Sequence, residues 1–586
     1  MNWPYAASDS DTLADVAMKY WKNDLRSNLI NNVPTTDDDP GFWQHMVTFG
    51  ISIGLSGTRG WTSVEEAKNA TSNRSWPTPS NDSPNNIDDL LHAAVNGHGQ
   101  FVAASSPEAF SAGLSKALAA ISQRTSSFSN VATNSTSLST GAKVFSASYT
   151  SGTWVGALKA YPVSRSGVST TPSWTATTLA FNTRKNKVFT YNGTAGAAFP
   201  TTPQRNQLDR SSVGPVDYPV TGAKNADYIV GDQSGEGSAT GKLRVRSTVL
   251  GDVVNSSPAY VPDTDTVYVG ANDGMLHAFD ADDGKELFAY VPGIIDFTKL
   301  AKLSRGDYDH AFFVDGPVVV TSKAAWNSSR NILVGSLGRG GKGLYALNVT
   351  NPGSFNTGAV MWEKNDGNLG NILGAPILAQ VRGSSNGAVI AGNGPNSATD
   401  RAFLVVRNLS NGGVIREIPT DSTIGNGLSA PIGVYAADGV TVIYAYAGDM
   451  QGNVWKFDMT NASPSAWTAT KIFHAEKTAG TPQPITSGLA VAVDPATRKR
   501  WIFFGTGSYL STADADDKTA SAQSMYGFID DGGSYNRSNL TPRSVTVSGD
   551  YRYFDSKAAL PSTSKGWYVD LPGNGERIVQ NAQING

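Results

Sequence analysis

The sequence predicts a mainly β protein, a six- or seven-bladed modified β-propeller preceded by the remnant of an α/β domain. Three observations predict it. Of 586 residues only 16 % are charged while 61 are glycine, against about 25 % charged and about 7 % glycine in an average chain. Helical proteins need more Glu, Lys, Arg and Ala, so strands and turns dominate. An apolar run closing on glycine recurs at Val267–Gly270, Ile332–Gly335, Val389–Gly392, Tyr444–Gly448 and Ile502–Gly505. A proline heading an apolar run recurs at Pro258, Pro317, Pro376 and Pro431. Both markers share one period, and a unit of roughly 50–60 residues with three or four strands is a propeller blade.

Residues 1–125 carry the α/β pattern. Leu13, Val16, Ala17 and Tyr20 have helical spacing, and Val47–Gly54 alternates as a strand does. Ile87–Val95 reads as a helix. Ser106-Pro107-Glu108 opens another, with proline in its first turn, running through Leu114, Leu118 and Ile121. One strand makes no sheet, so this segment is expected to be the end of a domain whose earlier strands, and whose leader, lie upstream. Residues 126–142 are a polar linker or a weak extended strand.

Residues 143–586 form the propeller. Within the repeats a further strand follows the glycine at Leu276–Asp280, Leu344–Asn348, Val454–Asp458 and Tyr526–Asp530. Each ends in Asp or Asn, which starts turns through its own backbone. Asp283-Gly284 then marks a hairpin. Two degenerate copies stand at Gly156–Tyr161 and at Gly566–Leu571, which closes the chain. The span 163–245 is long for one blade and is expected to hold an insertion from Gln204 onward.

Few chemistries survive this reading. A net charge of −3 excludes a strongly basic nucleic-acid binder. Without cysteine there is no disulfide, thiolate metal site or catalytic thiol. No run of 18 apolar residues spans a membrane. Gly338–Gly343 matches G-x-G-x-x-G, but a strand follows where a dinucleotide site needs a helix. Gly50–Gly54 and Gly383–Gly387 match G-x-S-x-G without the strand-to-helix elbow. The histidines lack ligand spacing, and His277 takes the strand position of Tyr345 and Trp455, which reads as packing. Tryptophans inside the repeats read as blade core. Asp514, Asp516 and Asp517 are the best cation candidates, short of a full calcium loop. Arg305-Gly306-Asp307 is an integrin-type tripeptide in an inter-strand loop. Nothing demands catalysis.

Val267–Asp280 with Gly284–Phe288 resembles a blade of the quinoprotein type, and more specifically the PilY/PilC family of type IV pilus tip adhesins and assembly factors. Asp252–Pro258, Phe313–Gly316 and Tyr446–Asp458 carry the same resemblance. Leu13–Trp21 and Phe42–Gly50 are similar to the end of that family's von Willebrand A-type domain. The resemblance implies a non-enzymatic protein, extracellular at the pilus tip or outer cell surface. It implies docking on minor pilins, promotion of assembly, opposition to retraction, and adhesion to a host-cell or abiotic surface. The D-x-S-x-S metal loop of the A-type domain does not occur in the chain. Family members carry a calcium loop before Tyr446, but here Tyr435–Val442 keeps one acid, Asp438, which cannot hold calcium alone. Two rivals share the architecture. A quinoprotein dehydrogenase usually has a paired-cysteine ring, absent here, and an outer-membrane assembly scaffold lacks the A-type segment.

Overall fold

The computed structural model describes residues 3–27, 31, 33, 39–104, 127–133, 143–164, 167–212, 218–237, 242–325, 329–478, 480–495, 497–516, 523–548, 551–554 and 559–584. The chain forms two compact units: Met1–Phe128 with Ser148–Val155, and Ser129–Ala147 with Gly156–Gly586.

In the first unit the helix Leu13–Lys22 starts on a capping box. The Thr12 hydroxyl accepts from the Asp15 N–H, and the Asp15 carboxylate accepts from the Thr12 N–H. Ala14 and Ala17 pack on Ala93 of a second helix, Asn85–Asn96. Asp89 of that helix accepts from the free N–H groups of Leu13 and Ala14, where a helix start favours negative charge. Strands Gly50–Ile53 and Phe101–Ala104 pair in parallel, from Gly50↔Phe101 to Ile53↔Ala104. The helix expected after Ser106 lies outside the described residues.

The repeats form six blades of four strand positions among the described residues, blades four and five being joined into one nine-stranded sheet where Ile377–Val381 pairs in parallel with Thr441–Gly448. Blade one comprises Ser127–Thr133, Lys143–Thr150, Val155–Ser164 and the short strands Gly167–Val168 and Trp174–Thr175. The polar stretch before Lys143 therefore supplies a strand. Blade two runs Ala259–Val261, Thr266–Gly270, Leu276–Asp280 and Glu286–Val291. Blade three runs from Val318 to Lys364, blade four from Ile377 to Pro419, and blade five from Ile432 to His474. Blade six holds Ala490–Val493, Arg500–Gly505, Ser524–Asp530 and Gly566–Asp570. The count falls at the lower of the two expected.

Gly566–Leu571 is thus not a further blade, as the sequence suggested. Gly566–Asp570 is the outer strand of blade six, paired antiparallel with Ser524–Asp530. A separate hairpin, Val545–Ser548 with Tyr551–Phe554, separates it in sequence from its partner. The missing third strand of blade four is Phe403–Asn408.

Strand alternation joins neighbouring blades. Leu333, Tyr345 and Leu347 of blade three pack towards blade two, while Val334, Leu344 and Ala346 pack towards blade four. Both faces are buried, so the strands read as continuous apolar runs rather than alternating ones. Trp362, Trp455 and Trp467 are buried between blades as expected. The closing glycines have a steric cause. A Cβ on Gly448 would lie 2.2 Å from Ile485, in the segment entering blade six. A Cβ on Gly505 would lie 2.3 Å from Ile578, in the C-terminal tail.

The expected insertion is real but begins before Gln204. Phe181–Arg184, Thr202–Gln207 and Gly222–Val230 are helices. The hairpin Val188–Tyr191 with Gly196–Ala198 adds to the outer edge of blade two, in parallel with Glu286–Val291.

Candidate interaction site in the central cavity

Two of the four prolines that head the first strands share a cavity. Pro258 and Pro317 line one cavity of about 490 Å³ together with Leu373, Ala430, Ser487 and Asn581. Blades two to six and the C-terminal tail all contribute to it. The volume lies in the range of small-ligand sites.

Its most polar corner joins two of the stretches that carry the family resemblance. Asp315, 1 % exposed, accepts from the Asn255 N–H at 3.1 Å and from its side-chain amide at 2.5 Å. Burial pushes the Asp315 carboxyl up to about 6, against the opposing pull of those two bonds. Close by, Asp252 accepts from Asn272 Nδ2 at 2.8 Å, and His310 Nε2 lies 2.8 Å from its carboxylate. Asn272 in turn accepts from the Phe313 N–H. The Arg339 guanidinium donates to the Tyr509 carbonyl at 2.5 Å and lies 5.5 Å from the Phe312 ring centre. Arg339 belongs to the G-x-G-x-x-G stretch, whose first turn is a short 3-10 helix, Gly338–Gly340. A strand, Leu344–Asn348, follows it.

The other residues singled out from the sequence do not line this cavity. Arg305 and Asp307 pair with each other, Nε to Oδ1 at 2.8 Å and Nη2 to Oδ2 at 2.6 Å. The Arg305 hydrogen bond holds Asp307 below the usual carboxylate range. A receptor that reads the tripeptide has to open this pair. Asp514 accepts from the Ser508 hydroxyl and from the Leu510 and Ser511 N–H groups. Burial would raise its carboxyl, but these bonds hold it low. Asp516 is exposed, and Asp517 lies outside the described residues. Asp438 accepts from the Val440 and Thr441 N–H groups and the Thr441 hydroxyl. Among the described residues no three His, Asp or Glu side chains are grouped to hold a metal ion. None of the described helices is long and apolar enough to cross a membrane.

His277 corrects the sequence reading. It is no simple packing residue but the centre of a buried ion chain. Arg184 donates to Glu286 through Nε at 2.7 Å and Nη2 at 2.9 Å. His277 Nδ1 lies 2.8 Å from Glu286, and Nε2 lies 3.1 Å from Asp273. Both ring nitrogens face carboxylates, so the ring is an imidazolium donating on both sides. Burial alone would depress it, but Asp273 and Glu286 hold it up at about 9. Burial would raise Glu286, but Arg184 and His277 bring it down to about 2. The four charges cancel, as a buried cluster requires.

A family model and the curated relatives agree on one family. A family model described as the PilY1 β-propeller domain matches residues 251–549. The type IV pilus biogenesis factor PilY1 of Pseudomonas aeruginosa strain UCBPP-PA14 is 33 % identical, over 92 % of this chain and 55 % of that protein. A PilY1 homolog of Xylella fastidiosa is 35 % identical, over 78 % of this chain and 39 % of its own length. The crystal structure of the P. aeruginosa PilY1 C-terminal domain aligns with a TM-score of 0.47 at 31 % identity, over 54 % of this chain and 73 % of that one. The chain spans about half the length of the curated relatives it matches. Since the match covers blades two to five entire and most of blade six, and the repeat was legible independently, this chain belongs to the PilY1 family.

Proposed function

We propose that the chain acts in type IV pilus biogenesis as a non-enzymatic binding module, extracellular at the pilus tip. It docks on minor pilins, promotes assembly, opposes retraction and takes part in adhesion to a host-cell or abiotic surface. The carrying observation is the match of the propeller to the PilY1 family, whose curated relatives are named as type IV pilus biogenesis factors. The first unit supports reading residues 1–125 as the end of a von Willebrand A-type domain, through its parallel strand pair and flanking helices. The central cavity supports a binding role. It offers a carboxylate, amides and a guanidinium, and its chemistry is that of recognition rather than turnover. The turn at Asp438 works without calcium in this reading, because its carboxylate already holds the turn's own donors.

Co-purification with the minor pilins of the same organism tests the proposal, with a version beginning at Ser127, where blade one starts, in parallel. Retention of a pilin by the full chain is the expected result, and the shorter version locates the docking half. If neither this chain nor the full-length protein retains a pilin, the proposal falls.

A further inference from the structure

We propose that the central cavity binds a primary alkylammonium group, Asp315 taking the charged head and Pro258, Pro317 and Leu373 the aliphatic stem. The inference stands on the cavity and not on the pilus reading. Asp315 is a fully buried carboxylate on the wall of a cavity of about 490 Å³. Its two hydrogen bonds come from neutral groups of one residue, Asn255. A buried carboxylate is ordinarily paired with a cation.

The cations nearby are directed elsewhere. Arg339 is turned to the Tyr509 carbonyl and the Phe312 ring, and His310 faces Asp252. The Arg339 charge favours the Asp315 carboxylate from the same cavity wall without bonding to it, and the Asp252 carboxylate opposes that effect. A second observation points to a ligand. Ser487, 4 % exposed, lines the same cavity, and its buried hydroxyl has no hydrogen-bond partner. Such orphans are rare in native structures and call for an explanation. The remaining wall is mixed, with Val254, Val318 and Ala430 beside the prolines and Thr486, Gln580 and Asn581 among its polar members. A charged donor on a hydrocarbon stem matches both halves, as lysine does when its stem covers apolar surface.

Two sources supply that chemistry, a lysine side chain of a protein partner and a free aliphatic amine. Isothermal titration of the full chain with N-acetyl-lysine methylamide, cadaverine and n-butylammonium distinguishes them. N-acetyl-norleucine methylamide is the neutral isostere. Saturable binding of the ammonium probes, with the isostere at least about tenfold weaker, is expected. The tighter of the lysine derivative and cadaverine identifies the source. Asp315→Asn is expected to weaken binding about tenfold or more. Ser487→Ala removes a hydroxyl without a partner, so it leaves folding intact and lowers affinity a few-fold. Absence of saturable binding, equal binding of the isostere, or wild-type affinity in Asp315→Asn overturns the proposal. If Asp315→Asn does not fold, unchanged affinity in Ser487→Ala does the same.

Discussion

Asp449 is the busiest acceptor in the propeller. It follows the closing glycine of blade five and is fully buried. Its carboxylate accepts from the Gln451 and Asn453 N–H groups at 2.9 Å, from Trp455 Nε1 at 2.8 Å and from Asn426 Nδ2 at 3.1 Å. Removing it strands several buried donors, each costing about 1–3 kcal/mol. Asp449→Ala is therefore expected to lower unfolding free energy by about 3 kcal/mol. An equilibrium urea titration checks this, and a loss within about 0.5 kcal/mol, the range of surface substitutions, contradicts it. The glycine beside it gives a paired test. Gly448→Ala drives a methyl into the fully buried Ile485, an overpacking worth about 3 kcal/mol. Gly439→Ala meets open space but sits at φ +71°, so only the left-handed conformation is penalised, at about 1 kcal/mol. Reversal of that order in the same titration would mean that neighbour contact does not govern these positions.

At the level of elements, the ion chain ties the inserted helix Phe181–Arg184 to two strands and the turn of blade two. His277 is raised from 6.5 to about 9. Its contribution is complete below the unfolded value and fades as pH climbs through about 9. Glu286 is depressed from 4.5 to about 2, so its contribution is complete above the unfolded value and fades as pH falls through about 2. The stability gap between wild type and His277→Gln is expected to be about 3 kcal/mol near pH 6 and to shrink as pH passes 9. Urea midpoints of both proteins across that range check it, and a gap independent of pH removes the imidazolium. This element also marks where reading the sequence stopped. The blade repeat was legible because strands buried on both faces must be apolar and must end on glycine where the next segment crosses. The ion chain was not, because Arg184 joins it from an insertion while Asp273, His277 and Glu286 lie in an ordinary hairpin repeat. Phe403–Asn408 was missed for a simpler reason. Arg407 precedes its closing Asn408 where the identified strands carry the apolar Phe279, Leu347, Phe457 and Ile529, although Asn408 and the Gly412-Gly413 turn carry the same signature. The cavity combined two stretches noted for resemblance, 252–258 and 313–316, but nothing in either stretch reveals that Asn255 meets Asp315.

Across the whole propeller, blade five is covered by the segment that enters blade six, and the inner end of blade six needs the same cover. The C-terminal tail supplies it. Ile578 sits over Gly505 as Ile485 sits over Gly448. The Ile578 N–H donates to the Thr506 carbonyl at 3.0 Å, as the Ile485 N–H donates to Asp449. Asn581 accepts from the Gly488 N–H at 2.7 Å, and the Ala582 N–H donates to the Gly488 carbonyl. Arg577 adds bonds to the carbonyls of Ser508 and Asp514. The tail is therefore a strap that caps the last blade and closes part of the cavity wall. Deleting residues 572–586 exposes the Ile578 seat and the inner end of blade six while leaving its four strands in the chain. Amide hydrogen exchange is expected to quicken in Arg500–Gly505 and to stay slow in Thr441–Gly448, whose covering segment remains. The loss in global stability is expected near 2 kcal/mol, the scale of removing one packed isoleucine side chain. Exchange that quickens equally in both strands would mean that the blades open as one cooperative unit. Exchange unchanged in Arg500–Gly505 would mean that the tail rests on the blade without stabilising it.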